Sequence, residues 1–262
     1  MGSNLKKREQ KAYWNLLKKL EGPRDETSYV PDQKLIEHFQ KILNDQNAPS
    51  LSDQQNNKNG TLDYAIVQAE LDLAKKILKP GKSPGIDNLT NEMITPLVEH
   101  HPELVLKLFN NILNNIWISK EWLLSIITAI HKKGAKDNPD NYRGISLMSC
   151  LGKLFLTIIN NRLAKFVTDN NILSSSQLGF VKQNRTSDPH IILHTILQKY
   201  CHKKKKPIFG CFVDFSKAFD TVPRDILLSK LQNKGVNGKV FEIIRTIYGD
   251  DMASIKIGDV TC

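Results

Sequence analysis

The chain has 262 residues, of which 40% are hydrophobic and 24% charged; this excludes collagen-like and wholly disordered readings and leaves length for a sizeable core. Its 37 Lys and Arg outnumber 27 Asp and Glu, a formal net charge of +10 that points to a polyanionic partner. There is no apolar run long enough to cross a membrane, and Cys150, Cys201, Cys211 and Cys262 form no C-x-x-C pair. The first residues, MGSNLKKREQKAYW, carry charge without an apolar stretch behind it, so an intracellular, non-secreted chain of nucleus or cytoplasm is expected.

In chain order, residues 12–20 read as a basic amphipathic helix and residues 35–43 as a second short helix, with Gly22, Pro23 and Pro31 loosening the stretch between. Residues 44–60, NDQNAPSLSDQQNNKNG, are nearly all polar or turn-forming and make the best linker. Ala69, Leu73, Ala74, Ile77 and Leu78 then recur at helical spacing until Pro80 and Gly81 stop them, and GKSPGID (81–87) reads as a tight loop. Leu104, Leu108, Ile112 and Ile116 predict another helix with those residues on one face. Residues 124–130, LSIITAI, are short and β-branched and lead into HKKG, a strand and turn. Leu151, Leu154, Phe155, Ile158, Ile159 and Phe166 are helical again.

Residues 208–215, IFGCFVDF, form an almost continuous apolar run after KKKKP, which predicts a buried strand with Asp214 at its C-terminal end. Pro223 stands where a first helical position is expected, and Gly235 closes that helix. Residues 253–258 alternate like a half-buried strand. Helices and strands mixed this irregularly predict an α+β fold.

A carboxylate ending a buried strand is costly unless something compensates it. Mg²⁺ is one compensator, because it takes carboxylate oxygens and keeps other positions for phosphate and water. An Asp at a strand end also commonly caps the next turn, and the residues alone leave both roles open. Asp220, just ahead of Thr221 and Pro223, reads better as a helix cap. His190 and His194 lie four apart on an expected helix, but no further ordered ligand accompanies them.

The run FVDFSKAFDTV (212–222) resembles the first catalytic motif of reverse transcriptases of LINE-type (non-LTR) retrotransposons. Other blocks follow the same family in order. GKSPGID with Glu92 and Met93 looks like the block upstream of the fingers; IHKKG (130–134), NYRGISL (141–147) and Lys153 look like the first fingers block; QLGF (177–180) with Arg185, Thr186 and Asp188 looks like the second. The likeness covers about residues 60–262.

The resemblance implies a right-hand polymerase fold and an RNA-directed DNA polymerase using two metal ions, Mg²⁺ or Mn²⁺. It implies RNA template, DNA primer and deoxynucleoside triphosphates as partners, and no membrane. Asp214 matches the metal-binding aspartate, and the carbonyl of Phe215 a second metal contact. Phe219 matches a bulky residue under the incoming sugar, where a ring favours deoxynucleotides; Lys217 and Ala218 share its motif and are expected at the substrate. Arg143, with Lys132 or Lys133, matches the groups that grip the triphosphate. The implied organisation is 1–60 as helical segment and linker, 61–125 as a helical region leading into the fingers, and 126–262 as fingers and the start of the palm. The Ser-Pro block and aromatic-x-Asp-Asp hairpin of the later palm are not read before Cys262, so a truncated domain, inactive by itself, is expected.

YGDD (248–251) spells that hairpin's signature, but Val240, Ile243, Ile244 and Ile247 lead into it at helical spacing. It is expected at a helix end before the last strand. Two other readings explain part of the pattern. One is a nucleic-acid-binding fragment without catalysis, which the basic segment 182–206 suits. The other is a nucleotide cyclase-like palm, which leaves the fingers blocks unexplained.

Overall fold

The computed structural model describes residues 32–43, 60–181, 184–215, 218–219, 222–257 and 260–261. The helix expected over 12–20, most of the linker, Lys217 and Asp220 lie outside them. In chain order the elements are α1 (Asp32–Leu43), α2 (Gln68–Lys75), α3 (Asn91–His100), α4 (Pro102–Asn115), the short α5 (Lys120–Leu123), β1 (Leu124–His131), β2 (Tyr142–Leu147) and α6 (Cys150–Asp169). They continue as α7 (Ser187–Leu197), α8 (Arg224–Asn233), α9 (Gly238–Asp250), β3 (Met252–Ile257) and β4 (Val260–Thr261). The α+β expectation holds.

The strands form one sheet in the order β2-β1-β3-β4. β1 pairs antiparallel with β2 and parallel with β3, with Ile127 opposite Ile255. Ile126, Ile127, Thr128 and Ile130 give β1 the branched side chains that suit a pleated, half-buried surface. β3 follows α9 almost without a break, so the end of that helix sets where the third strand enters.

The main core is helical. Leu71 and Ala74 of α2, Phe109 of α4, Leu154 and Ile158 of α6, and Val240 and Ile243 of α9 are fully buried together. Phe109 meets Phe155 edge-on at 5.3 Å between ring centroids, and Trp122 stands 6.0 Å from Phe155. Burying each phenylalanine contributes about 1.5–3 kcal/mol, with about 0.5–1.5 kcal/mol more from ring geometry.

Three details of the expected faces and ends differ. α2 ends at Lys75, ahead of Ile77 and Leu78, and it buries Leu71 and Ala74 while Leu73 is exposed. On α4 the buried stripe is Val105, Phe109 and Ile112, while Leu104 and Leu108 are exposed. α4 carries two adjacent apolar stripes, and the one bearing the large aromatic ring is turned inward. The helix expected to begin at Pro223 begins at Arg224, with Pro223 as its cap; Gly235, at φ +90°, closes it by donating to the Gln232 carbonyl.

The larger correction concerns residues 208–215. They form no strand, and Phe209 and Phe212 are 95% and 87% exposed. A strand buried on both faces needs a ladder to join, but β1 is already paired on both edges, and the outer edges of β2 and β4 do not take this run. The segment keeps its apolar sequence without neighbours to bury it.

Candidate functional site

Two segments of the first fingers block become the arms of one hairpin. Arg143 on β2 stands opposite Ile130 on β1, and Tyr142 opposite His131. The Lys132 N–H donates to the Asn141 carbonyl at 2.8 Å, so the two lysines follow directly where the chain leaves the ladder. The tip is tied internally: Asn141 Nδ2 donates to the Ala135 carbonyl at 2.7 Å, and the Tyr142 hydroxyl to the Lys136 carbonyl at 2.8 Å. Lys132, Lys133 and Arg143 are exposed.

Side chains alternate across the sheet, and cross-strand partners share a face. Tyr142 and Gly144 therefore face one side, while Arg143, Ile145 and Ile130 face the other. Ile145 and Leu147 continue into a cleft of about 520 Å³, lined also by Lys82, Ser83 and Lys153. Three cationic side chains thus belong to one side of the hairpin and its adjoining cleft.

The wall of that cleft is the GKSPGID loop. It sits on the turn between β2 and α6 by backbone contact, since a Cβ on Gly85 would stand 2.4 Å from Ser149 N and 2.6 Å from the Met148 carbonyl carbon. Its start is held by Glu92, whose Oε1 accepts the Gly81 N–H at 2.6 Å. That hydrogen bond lowers the pKa of the Glu92 carboxyl. A lowered folded-state pKa contributes stability above the ordinary value of 4.5, lost as pH falls through the lowered one. Exchange protection of the Gly81 amide is therefore expected to hold from neutral pH to below 4.5 and to fall as Glu92 itself takes up a proton; protection that outlasts the titration of Glu92, followed by NMR in the same sample, would contradict the anchor. Next to the loop, Cys150 is buried in the main core, and burial pushes its thiol pKa up.

The block around Asp214 behaves differently. Asp214 is exposed, and its Oδ1 accepts the N–H of Phe215 at 3.0 Å. The desolvation argument for a metal at a buried carboxylate does not apply to this arrangement. Phe215, Ala218 and Phe219 are also exposed. Phe180 of the QLGF block packs its ring edge-on against Phe219, 5.9 Å between centroids at 90°, so these two blocks are brought together. Among the described residues no ion pair links Asp214 to Arg143, Lys132 or Lys133. Asp214 and the Phe215 carbonyl are oxygen donors of the kind Mg²⁺ takes. Among the described residues no group of three or more His, Cys, Asp or Glu that could hold a metal occurs.

YGDD lies at a helix end, as its spacing predicts. α9 runs through Asp250, and Asp251 pairs with Arg224 at 2.6 and 3.2 Å. Arg224 also donates to the Tyr248 carbonyl at 2.7 Å. These contacts hold α8 to the end of α9 and employ Asp251 structurally.

Sequence reasoning missed two structural carboxylate contacts. Asp63 caps α9 from far along the chain, accepting the N–H groups of Lys239 and Val240 at 2.8 and 3.0 Å. Arg162 is 3% exposed and grips Glu70 with two bonds of 2.7 Å. The available signal was that Arg162 continues the stripe of Phe155 and Ile158 on α6, a charge on an otherwise apolar face.

The family description that matches this chain, over residues 130–260, is reverse transcriptase (RNA-dependent DNA polymerase). The chain is 36% identical over 161 residues to the fruit-fly (Drosophila melanogaster) protein named "Probable RNA-directed DNA polymerase from transposon BS", covering 61% of this chain and 18% of that one. It is 32% identical over 160 residues to the RNA-directed DNA polymerase from mobile element jockey of the same fly, 60% of this chain and 17% of that one. It is 28% identical over 193 residues to the Pol polyprotein of type-1 retrotransposable element R2 of Popillia japonica, covering 74% and 26%. The chain thus spans less than a fifth of the first two relatives.

Proposed function

Because this chain belongs to the reverse transcriptase (RNA-dependent DNA polymerase) family, we propose that it contributes the fingers and the beginning of the palm to RNA-templated DNA synthesis by a non-LTR retrotransposon protein. The observation that carries this reading is the hairpin: two segments of the first fingers block become paired arms with Arg143 and both tip lysines exposed.

In this reading Arg143 grips the triphosphate of the incoming deoxynucleotide, with Lys132 or Lys133 beside it. A guanidinium fork suits charge-dense phosphate oxygens. Lys217, Ala218 and Phe219 border the nucleotide, and the Phe219 ring disfavours a 2′-hydroxyl. Asp214 and the Phe215 carbonyl would serve as oxygen ligands to Mg²⁺ or Mn²⁺, which would supply charge neutralisation at the phosphate. Lys82 and Lys153, on the same side as Arg143, and the basic stretch ending in KKKK (203–206) hold the template backbone.

Nucleic-acid binding by this 262-residue chain is the direct test. Between 182 and 206 seven Lys and Arg stand against one acidic residue, Asp188. Affinity for single-stranded RNA is expected to fall linearly with salt on logarithmic axes. Replacing Lys203, Lys204, Lys205 and Lys206 with glutamine should reduce that slope by up to about 3, at roughly 0.7 for each phosphate no longer neutralised. Binding indifferent to salt, or a slope unchanged in the quadruple variant, would remove this template-holding role. Among the described residues no helix is long and apolar enough to cross a membrane.

A further inference from the structure

α1 lies outside the residues that match the family description, yet it packs on the hairpin sheet. Leu35 and Phe39, one turn apart, are 4% and 5% exposed, and they close against Ile127 of β1 and Ile255 of β3. Tyr142 and Ala129 border the same cluster. This small core is separate from the main helical one and covers the side of the sheet opposite Arg143.

The helix comes close to the sheet at Gly144. A Cβ there would stand 3.0 Å from Phe39 Cε1 and 3.0 Å from Ile127 Cγ2. Glycine at this position therefore lets the Phe39 ring lie against the β2 backbone, one residue from Arg143. β2 is an edge strand with a ladder on one side only. Its tip is internally tied by the Asn141 and Tyr142 hydrogen bonds. α1 also reaches the turn after the lysines, where His38 Nδ1 is 3.9 Å from Asp140 Oδ1.

We propose that Phe39 is a positioning residue for Arg143: α1 braces β2 from behind, and binding of the incoming triphosphate depends on a helix outside the matched domain. The inference rests on the reading of Arg143 as the triphosphate ligand. Phe39 touches no substrate; it fixes the plane of the strand from which Arg143 projects. Strand backbone displaced by a fraction of an ångström moves the guanidinium away from its phosphate oxygens, and an oriented site tolerates small misplacements poorly.

The experiment is RNA-templated primer extension by the complete protein containing these residues, with deoxynucleotide concentration varied. Phe39→Ala is expected to raise KM for the deoxynucleotide about tenfold, with kcat nearly unchanged and RNA affinity unaltered. Gly144→Ala should raise KM as well, by driving its new methyl into the ring. Phe39→Leu, which is shorter at that point, should restore KM in the Gly144→Ala background. The urea midpoint should show the same rescue, which reports the contact independently of nucleotide binding. Arg143→Ala is the reference variant. If Arg143→Ala raises KM while Phe39→Ala and Gly144→Ala leave it unchanged, the brace is overturned. If Arg143→Ala itself leaves KM unchanged, the triphosphate reading fails and the positioning role falls with it. The urea midpoints would still decide whether Phe39 and Gly144 are coupled.

Discussion

Replacing Arg162 with alanine is expected to lower folding stability by about 3–5 kcal/mol, among the larger losses available to a single substitution. Its Nε and one terminal nitrogen donate to the two oxygens of Glu70 at 2.7 Å each, while the other terminal nitrogen donates to the carbonyls of Leu62 and Tyr64 at 2.8 Å each. The guanidinium also stacks 3.9 Å above the Tyr64 ring. One side chain thus joins α6, α2 and the segment 62–64. Removing it leaves two carbonyls without this donor and a part-buried carboxylate that keeps the Val67 N–H but loses its counter-charge, and such desolvated groups carry most of the cost. Arg162→Lys should recover little, because an ammonium cannot form the two-pronged contact and reach both carbonyls. Urea unfolding should show the midpoint falling with little change of slope. A loss below about 1 kcal/mol would mean that the pair behaves like a solvated surface contact.

Local pattern made much of this fold readable, and the failures have physical causes. The helical character of α2, α4, α6 and α9 and the branched run of β1 were legible because each element satisfies its own backbone or pairs with a near neighbour; which stripe of α2 and α4 turns inward was not. The helix end at YGDD was legible for the same reason: Val240, Ile243 and Ile244 repeat at helical spacing, and all three are buried. IFGCFVDF reads as a buried strand because its composition is right, but a strand also needs an edge to join, which composition does not report. Arg162 and Asp63 went unread because their partners lie 92 and 176 residues away. At the candidate site, the order of blocks pointed to Arg143 and the tip lysines, whereas the packing of Phe39 behind Gly144 becomes visible only once both faces of the sheet are known.

Asp214→Asn in the complete protein is expected to reduce RNA-templated DNA synthesis by about a thousandfold or more. Charge stabilisation by a bound metal is worth several kcal/mol in such transfers, and each tenfold in rate corresponds to about 1.4 kcal/mol. The amide keeps the shape of the carboxylate but removes the charge that attracts Mg²⁺. Asp214 is exposed and accepts one backbone N–H, so the change leaves the fold and the RNA affinity intact. Asp251 supplies the contrast. Its carboxylate belongs to Arg224, in a pair whose side chains are 44% and 42% exposed, and such pairs contribute about 0–1 kcal/mol.

The decisive measurement is primer extension on an RNA template with Mg²⁺ and deoxynucleotides, comparing the complete wild-type protein with its Asp214→Asn and Asp251→Asn variants. The wild type should extend the primer, Asp214→Asn should give no detectable product despite normal RNA binding, and Asp251→Asn should stay within about fivefold of wild type. Wild-type synthesis by Asp214→Asn, or its loss in Asp251→Asn alone, would contradict the assignment of the catalytic carboxylate.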